Sequence, residues 1–121
     1  MKIYISHAKA FDFQSELYKP LKESGLSVDF IFPHEEGLNP YSSMELFGQK
    51  KIDMVLAEVS SPATGQGIEL AWAQSFGIPI VCIYKKGSDI SGSLKFLTDK
   101  FVEYSDSDDM IGKLKKYIIL N

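Results

Sequence analysis

Asp53-Met54-Val55-Leu56-Ala57-Glu58-Val59-Ser60-Ser61-Pro62-Ala63-Thr64-Gly65-Gln66-Gly67-Ile68-Glu69-Leu70-Ala71-Trp72-Ala73 contains the change of period that sets the architecture of this chain. Residues 53–59 are an apolar, β-branched run of strand type. Beyond Gly67, Ile68, Ala71, Trp72, Ser75 and Phe76 fall at i, i+3, i+4, i+7 and i+8, which predicts one face of a helix over Gly67–Phe76. A strand therefore leads through a small-residue loop into a helix. Between Gly65 and Gly77 the only ionisable side chain is Glu69. On this reading it sits in the first helical turn, where free N–H groups and the helix dipole favour an anion. It is either a capping-type glutamate following Thr64 and Gln66 or a carboxylate at the mouth of a ligand crevice. In the second case Gly65 and Gly67 let a substrate approach the backbone closely.

Outward from this stretch the same alternation repeats. Lys2–Ser6 predicts the first strand, followed by a loop over Ser6–Ala10. Asp12 is placed to cap a helix over Phe13–Ser24, with a kink or early end at Pro20 and Gly25 as its C′ residue. Ser27–Phe32 reads as a second strand and Pro33–Pro40 as a loop. Ser42 or Ser43 would cap a helix running to about Lys51. Pro79–Tyr84 gives the fourth strand, and Lys85–Gly92 a polar loop. A short helix over Ser93–Thr98 and a fifth strand over Phe101–Tyr104 follow. Ser105–Asp109 is rich in capping residues and introduces a last helix, Met110–Leu120.

Five strands alternating with helices predict a single-domain α/β chain, residues 1–121. It is expected to be a three-layer sandwich of flavodoxin/Rossmann type with a parallel sheet in the order 2-1-3-4-5. The all-apolar runs Met54–Val59 and Ile80–Tyr84 should be central. Ligands of such sheets bind at the carboxyl ends of the strands, where strands 1 and 3 diverge. The segments meeting there are Ser6–Ala10 and Ser60–Glu69.

The 121 residues carry a net charge of −3, which argues against bulk nucleic-acid or anionic-membrane binding. The single cysteine, Cys82, lies in an apolar run and reads as a small buried hydrophobe, so no disulfide framework arises within one chain. The opening Met-Lys-Ile-Tyr-Ile enters a strand at once, and no apolar run approaches the ~20 residues of a membrane span. The expected location is the cytoplasm.

Of the remaining polar groups, His7 follows strand 1 into the crevice and has the chemistry for proton transfer. Lys9 is placed to meet a phosphate. His34-Glu35-Glu36 lacks a second His or Cys at ligand spacing, so no metal site is expected. Gly65-Gln66-Gly67 is neither a dinucleotide fingerprint nor a P-loop. Ser60 and Ser61 lack the pattern of a nucleophilic serine. Glu45, on a helix just before strand 3, is a surface charge unless that helix turns it into the crevice.

The run Asp53–Ala71 resembles the signature of the nucleoside 2-deoxyribosyltransferase superfamily, closest to its 2′-deoxynucleoside 5′-monophosphate N-hydrolase branch. The likeness rests on the strand, the Pro, the two spaced glycines and Glu-Leu, and it continues through Ile80–Tyr84 into Ser91-Gly92-Ser93. The opening strand with Tyr4 also matches. The resemblance implies cleavage or transfer at the N-glycosidic bond of a (deoxy)nucleoside or its 5′-monophosphate, without a cofactor. Glu69 falls on the family's nucleophile. Ser93 falls on a serine that reaches the phosphate from a neighbouring subunit, which implies a homodimer or higher homo-oligomer. Glu45 aligns with the family's base-handling aspartate and, with His7, is a candidate acid. Tyr4, Ser6, Lys9, Thr64, Gly65 and Gly67 complete the expected substrate contacts.

The sequence also departs from the family. The Ser6–Asp12 loop is shorter and without glycine, and the hydrolases' phosphate-site arginine is missing. Ala63 stands where the transferases have Asp and the hydrolases Ser, with Thr64 the nearest hydroxyl. Two other readings follow from the residues. Tyr4-Ile5-Ser6-His7-Ala8 is similar to the opening of TIR domains, some of which cleave NAD. The altered loop and Ala63 are also compatible with a nucleotide-binding module that has no turnover.

Overall fold

The structure, a computed structural model, describes residues 1–35 and 42–120, with side chains through residue 118. The expected loop over 33–40 therefore lies partly outside the described residues, Glu36 with it. The strands are β1 (Lys2–His7), β2 (Asp29–Ile31), β3 (Met54–Glu58), β4 (Ile80–Lys85) and β5 (Phe101–Tyr104). The α-helices are α1 (Lys19–Lys22), α2 (Met44–Gly48), α3 (Thr64–Ser75) and α4 (Ser107–Leu120). All pairings are parallel and the order is β2-β1-β3-β4-β5. β3 is central, as its unbroken burial requires.

Alternation along the strands sends side chains into two separate cores. Ile3, Ile5, Leu56, Val81 and Ile83 pack with Leu17, Leu21, Met110 and Leu114 on one face. Tyr4, Val55, Ala57, Ile80 and Cys82 pack with Phe47, Leu70 and Ala73 on the other. Burial raises the Cys82 thiol to about 12, so it is an inert part of that core. No helix among the described residues is long and apolar enough to cross a membrane.

Several local expectations are corrected. β1 extends through His7, which pairs with Glu58 and is the last strand residue rather than a loop residue. The 13–24 segment is a π turn, Gln14–Tyr18, continued by α1. Pro20 falls in the first turn of α1, where a missing N–H leaves no helical bond unmade. β2 and α2 are shorter than the sequence suggests, while α4 begins earlier, at Ser107. Asp106 Oδ1 accepts from the Asp109 N–H at 2.8 Å, and Asp109 Oδ2 accepts from the Ser105 N–H at 2.8 Å. The short helix expected over Ser93–Thr98 is a 3-10 turn, Gly92–Phe96.

The largest correction concerns α3. It begins at Thr64 behind Ala63, and no side chain caps it. Its buried residues are Gln66, Leu70 and Ala73, so the expected period is present but its phase is rotated. Ile68 and Phe76, assigned to the inward face, are 48% and 37% exposed.

The helix ends in a Schellman motif. The Gly77 N–H donates to Gln74 O at 2.9 Å and the Ile78 N–H to Ala73 O at 3.0 Å. Gly77 has φ +73°, and a Cβ there would meet nothing within 4 Å, so only backbone strain opposes a side chain. Gly77→Ala is expected to lower the unfolding free energy by about 1–2 kcal/mol, measured by urea denaturation.

Candidate active site

The carboxyl ends of β1 and β3 lie side by side in register, Ser6 against Ala57 and His7 against Glu58. Above them the 7–10 segment, His34 and the first half of α3 enclose a cavity of about 490 Å³. Among the described residues its ionisable lining groups are His7, Lys9, His34 and Glu69. Pro62, Ala63, Thr64, Gly65, Gln66, Ile68 and Trp72 line the α3 side with Glu69.

Glu69 is six residues into α3, beyond the reach of the free N–H groups of the first turn. The dipole argument for its charge therefore fails, and so does the capping reading. Side chains hold it instead. Tyr4 Oη donates to Glu69 Oε2 at 2.7 Å, and Ser43 Oγ donates to the same oxygen at 2.8 Å. Tyr4 is fully buried, and its ring meets the edge of Phe47 at 5.1 Å, so the phenol has little freedom to move. Ser43 was expected to cap α2, but it makes no capping bond and spends its hydroxyl on Glu69. Among the described residues no donor is bonded to Oε1. One carboxylate oxygen is thus anchored by two hydroxyls.

His7 is only 7% exposed. Its Nδ1 lies 3.0 Å from Ala8 O, which can only accept, so Nδ1 carries the proton. Nε2 then accepts from Tyr18 Oη at 2.6 Å. Phe13 stacks on the imidazole at 4.2 Å. Burial, opposed by the Ala8 carbonyl and aided by the nearby His34, lowers the His7 pKa to about 4. The ring is neutral near pH 7, and both nitrogens are engaged within the protein. Tyr18 Oη in turn accepts from the His34 N–H at 3.1 Å, and burial raises its own pKa to about 12.

The turn after β3 is held by a second buried acid. Glu58 is 1% exposed and accepts from the Ser60 N–H at 2.6 Å, from Ser60 Oγ at 3.1 Å and from Tyr104 Oη. Burial holds its carboxyl above the usual range, against these donors. Ser60 Oγ also accepts from the Lys85 N–H at 2.8 Å, which ties the turn to β4. Gln66 Nε2 donates to Glu58 O at 2.9 Å and fixes the start of α3 to the end of β3.

The other expected residues divide. Lys9, Thr64 and Gly65 line the cavity. Ser6 is fully buried and is not part of its lining. Glu45 is exposed on α2 and is likewise absent from the lining. Gly67 and Ser93 line a second cavity of about 580 Å³, between α3 and the 92–96 turn. Pro62, Ala63, Thr64 and Gln66 border both cavities. Ser43, His34 and Trp72 belong to the site and lie outside the segments that the sequence places there. The local signal at Ser43, a serine just before a helix, is that of a cap.

The chain is an α/β protein with a parallel 2-1-3-4-5 sheet and a glutamate presented from α3 beside a β1 tyrosine, and its likeness to known proteins runs along nearly its whole length. The particular relatives are N-hydrolases by name. The chain is 27% identical over 132 residues to the candidate 2′-deoxynucleoside 5′-phosphate N-hydrolase 1 of Thermofilum pendens, covering 94% of this chain and 92% of that protein. It is 36% identical over 70 residues to the 5-hydroxymethyl-dUMP N-hydrolase of Rattus norvegicus, a match spanning 58% of this chain and 37% of the other. In fold it is similar to the CMP N-glycosidase of Clostridium botulinum, with a TM-score of 0.66 and 17% identity over 97% of this chain and 99% of that one. No protein-family model matches the chain.

Proposed function

We propose that this protein is an N-glycosidase that releases the base from a nucleoside 5′-monophosphate, with Glu69 as its nucleophile. The observation that carries the reading is the Glu69 carboxylate, anchored through Oε2 by Tyr4 and Ser43 on the wall of the cavity. Oε1 attacks C1′ as the C1′–N bond breaks, and the bonding pair leaves with the base. Water then attacks C1′ and frees the carboxylate, the two-step course of retaining glycosidases. Lys9 is the cationic lining group and receives the phosphate, with the Thr64 hydroxyl beside the sugar. The names of the relatives described above, two nucleotide N-hydrolases and a CMP N-glycosidase, support the substrate class.

Ser93 faces the adjoining cavity of its own chain, so its phosphate role requires a second copy. The reading therefore includes a homodimer, checked by sedimentation equilibrium. A monomer at assay concentration removes Ser93 from the site.

The test is chromatographic detection of free base from deoxynucleosides, their 5′-monophosphates, ribonucleotides and NAD. Base released from a monophosphate without an added acceptor base supports the hydrolase. Release that depends on a second base means transfer. Nicotinamide release favours the TIR-like reading. Ligand-dependent thermal stabilisation without product means a binding module.

Tyr4→Phe removes one of the two donors on Oε2. A hydrogen bond to a charged group is worth about 1.5–3 kcal/mol, so kcat/KM should fall about tenfold to a hundredfold in the same assay. Ser43→Ala should act on the same scale.

A further inference from the structure

We propose that Trp72 is the platform that receives the base of the substrate, an inference that rests on the N-glycosidase reading above. A nucleoside monophosphate carries three groups in a row. The phosphate leaves the sugar through C5′, the base leaves through C1′, and the nucleophile must meet C1′ between them. The cavity wall repeats that order. Gly65, Ile68, Glu69 and Trp72 fall at i, i+3, i+4 and i+7, one face of α3, and all four line the cavity. At about 1.5 Å of rise per residue, Gly65 lies about 6 Å before Glu69 along the helix axis and Trp72 about 4.5 Å beyond it.

The topology sets the direction in which a substrate lies on this face. α3 leaves β3 and returns to β4, which pairs parallel to β3. The helix therefore runs antiparallel to the strands and starts at their carboxyl edge. Lys9 follows β1 and lines the cavity at the same edge. With Lys9 on the phosphate and Glu69 on C1′, the base is directed toward the C-terminal half of α3. Among the described residues, Trp72 is the one that lines the cavity there.

The residue type and its packing suit this place. An indole offers a broad, flat, apolar face, and every base has a π-face to lay against it. Trp72 is partly buried and packs against the core cluster that holds Phe47, Leu70 and Ala73. The indole is thus held by the core while it lines the cavity, so little side-chain freedom is lost when a base arrives. Trp72 O accepts from Ser75 Oγ at 2.7 Å and from the Phe76 N–H at 3.1 Å, which keeps the last turn of α3 formed. Ile68, 48% exposed, extends the apolar wall beside Glu69.

Trp72 is the only tryptophan in the chain, so indole emission reports on this one side chain. The Glu69→Gln protein, which leaves the substrate intact, is titrated with the 5′-monophosphates of cytidine, guanosine and their 2′-deoxy forms. It is also titrated with ribose 5-phosphate and 2-deoxyribose 5-phosphate, which lack a base. Calorimetry on the same samples gives the affinities. The expected result is a saturable change of emission with a nucleotide and none with the sugar phosphates. Trp72→Ala should weaken that nucleotide about tenfold to a hundredfold, the scale of one base–aromatic stack, and leave the sugar phosphate unchanged. Trp72→Phe should restore most of the loss. Melting curves establish which variants are folded, and the emission of the native indole decides the case if Trp72→Ala is not. A nucleotide that binds without changing the emission overturns the assignment. So does an equal loss for nucleotide and sugar phosphate, the mark of a residue that only supports the fold. Base release by the wild type alongside either result leaves the N-glycosidase reading intact. A base-dependent emission change without base release retains Trp72 and overturns the glycosidase. Binding of no nucleotide overturns both.

Discussion

Glu69→Gln is expected to reduce base release by at least about 10³-fold while leaving the melting temperature within a few degrees of wild type. The size of the loss follows from removing the nucleophile itself, because an amide cannot form the glycosyl ester through which the reaction divides into two easier steps. The preserved stability follows from the local bonding. Tyr4 Oη and Ser43 Oγ both donate to one oxygen, Oε2. The carbonyl oxygen of glutamine can accept both, and its amino group takes the place of Oε1. Glu69→Ala behaves differently, because it deletes the acceptor of both the Tyr4 and the Ser43 hydroxyl bonds to Oε2. A hydrogen bond to a charged group is worth about 1.5–3 kcal/mol, so the alanine variant should melt several degrees lower as well as being inactive. Free base by chromatography and thermal melts on the same preparations separate the two effects. Retention of more than about a tenth of the wild-type rate by Glu69→Gln would remove the nucleophile assignment.

The second large effect is on stability as the solution is acidified. His7 is buried as the neutral ring, with its pKa lowered from 6.5 to about 4. A group depressed on folding contributes stability that is present above its unfolded pKa and lost as the pH falls through its folded value. The window is therefore pH 6.5 down to about 4, and the depression is worth about 3 kcal/mol at about 1.4 kcal/mol per pKa unit. Glu58 works in the opposite sense. Its raised carboxyl favours the fold below the ordinary value of 4.5, and that contribution fades as the pH rises through the folded value. Comparison with His7→Gln isolates the histidine, since Glu58 is common to both proteins. Urea midpoints measured from pH 7 to pH 4 should fall more steeply for wild type, by the equivalent of about 3 kcal/mol. Parallel profiles would mean that His7 is accessible in the fold.

The sheet was legible because its strands are strong local signals. Residues 54–59 and 80–84 are runs that only a doubly covered strand explains, and alternation with helices then fixes the parallel order. The phase of α3 was not legible. Its helical positions include two glycines, Thr64, Gln66 and two alanines, so its apolar stripe is faint. Gln66 is buried for a reason invisible in composition, a bond to the Glu58 carbonyl. Glu69 was singled out by its isolation in an uncharged helix, but the physical reason first given for its charge was wrong. The hydroxyls that hold it come from residues 65 and 26 positions away in the chain. A serine just before a helix reads as a cap from sequence, and nothing local reveals that Ser43 turns to a distant carboxylate. The link from His34 through Tyr18 to His7 is long-range in the same way.

The two bonds to Oε2 also bear on how the protein comes into being. Tyr4, Ser43 and Glu69 meet only when three remote segments have docked, and no hairpin in this all-parallel sheet can bring them together early. Loop-closure entropy makes such pairings slow relative to helix formation. During refolding, helical signal should therefore return before turnover, and the recovery of activity times the closing of the last long loop.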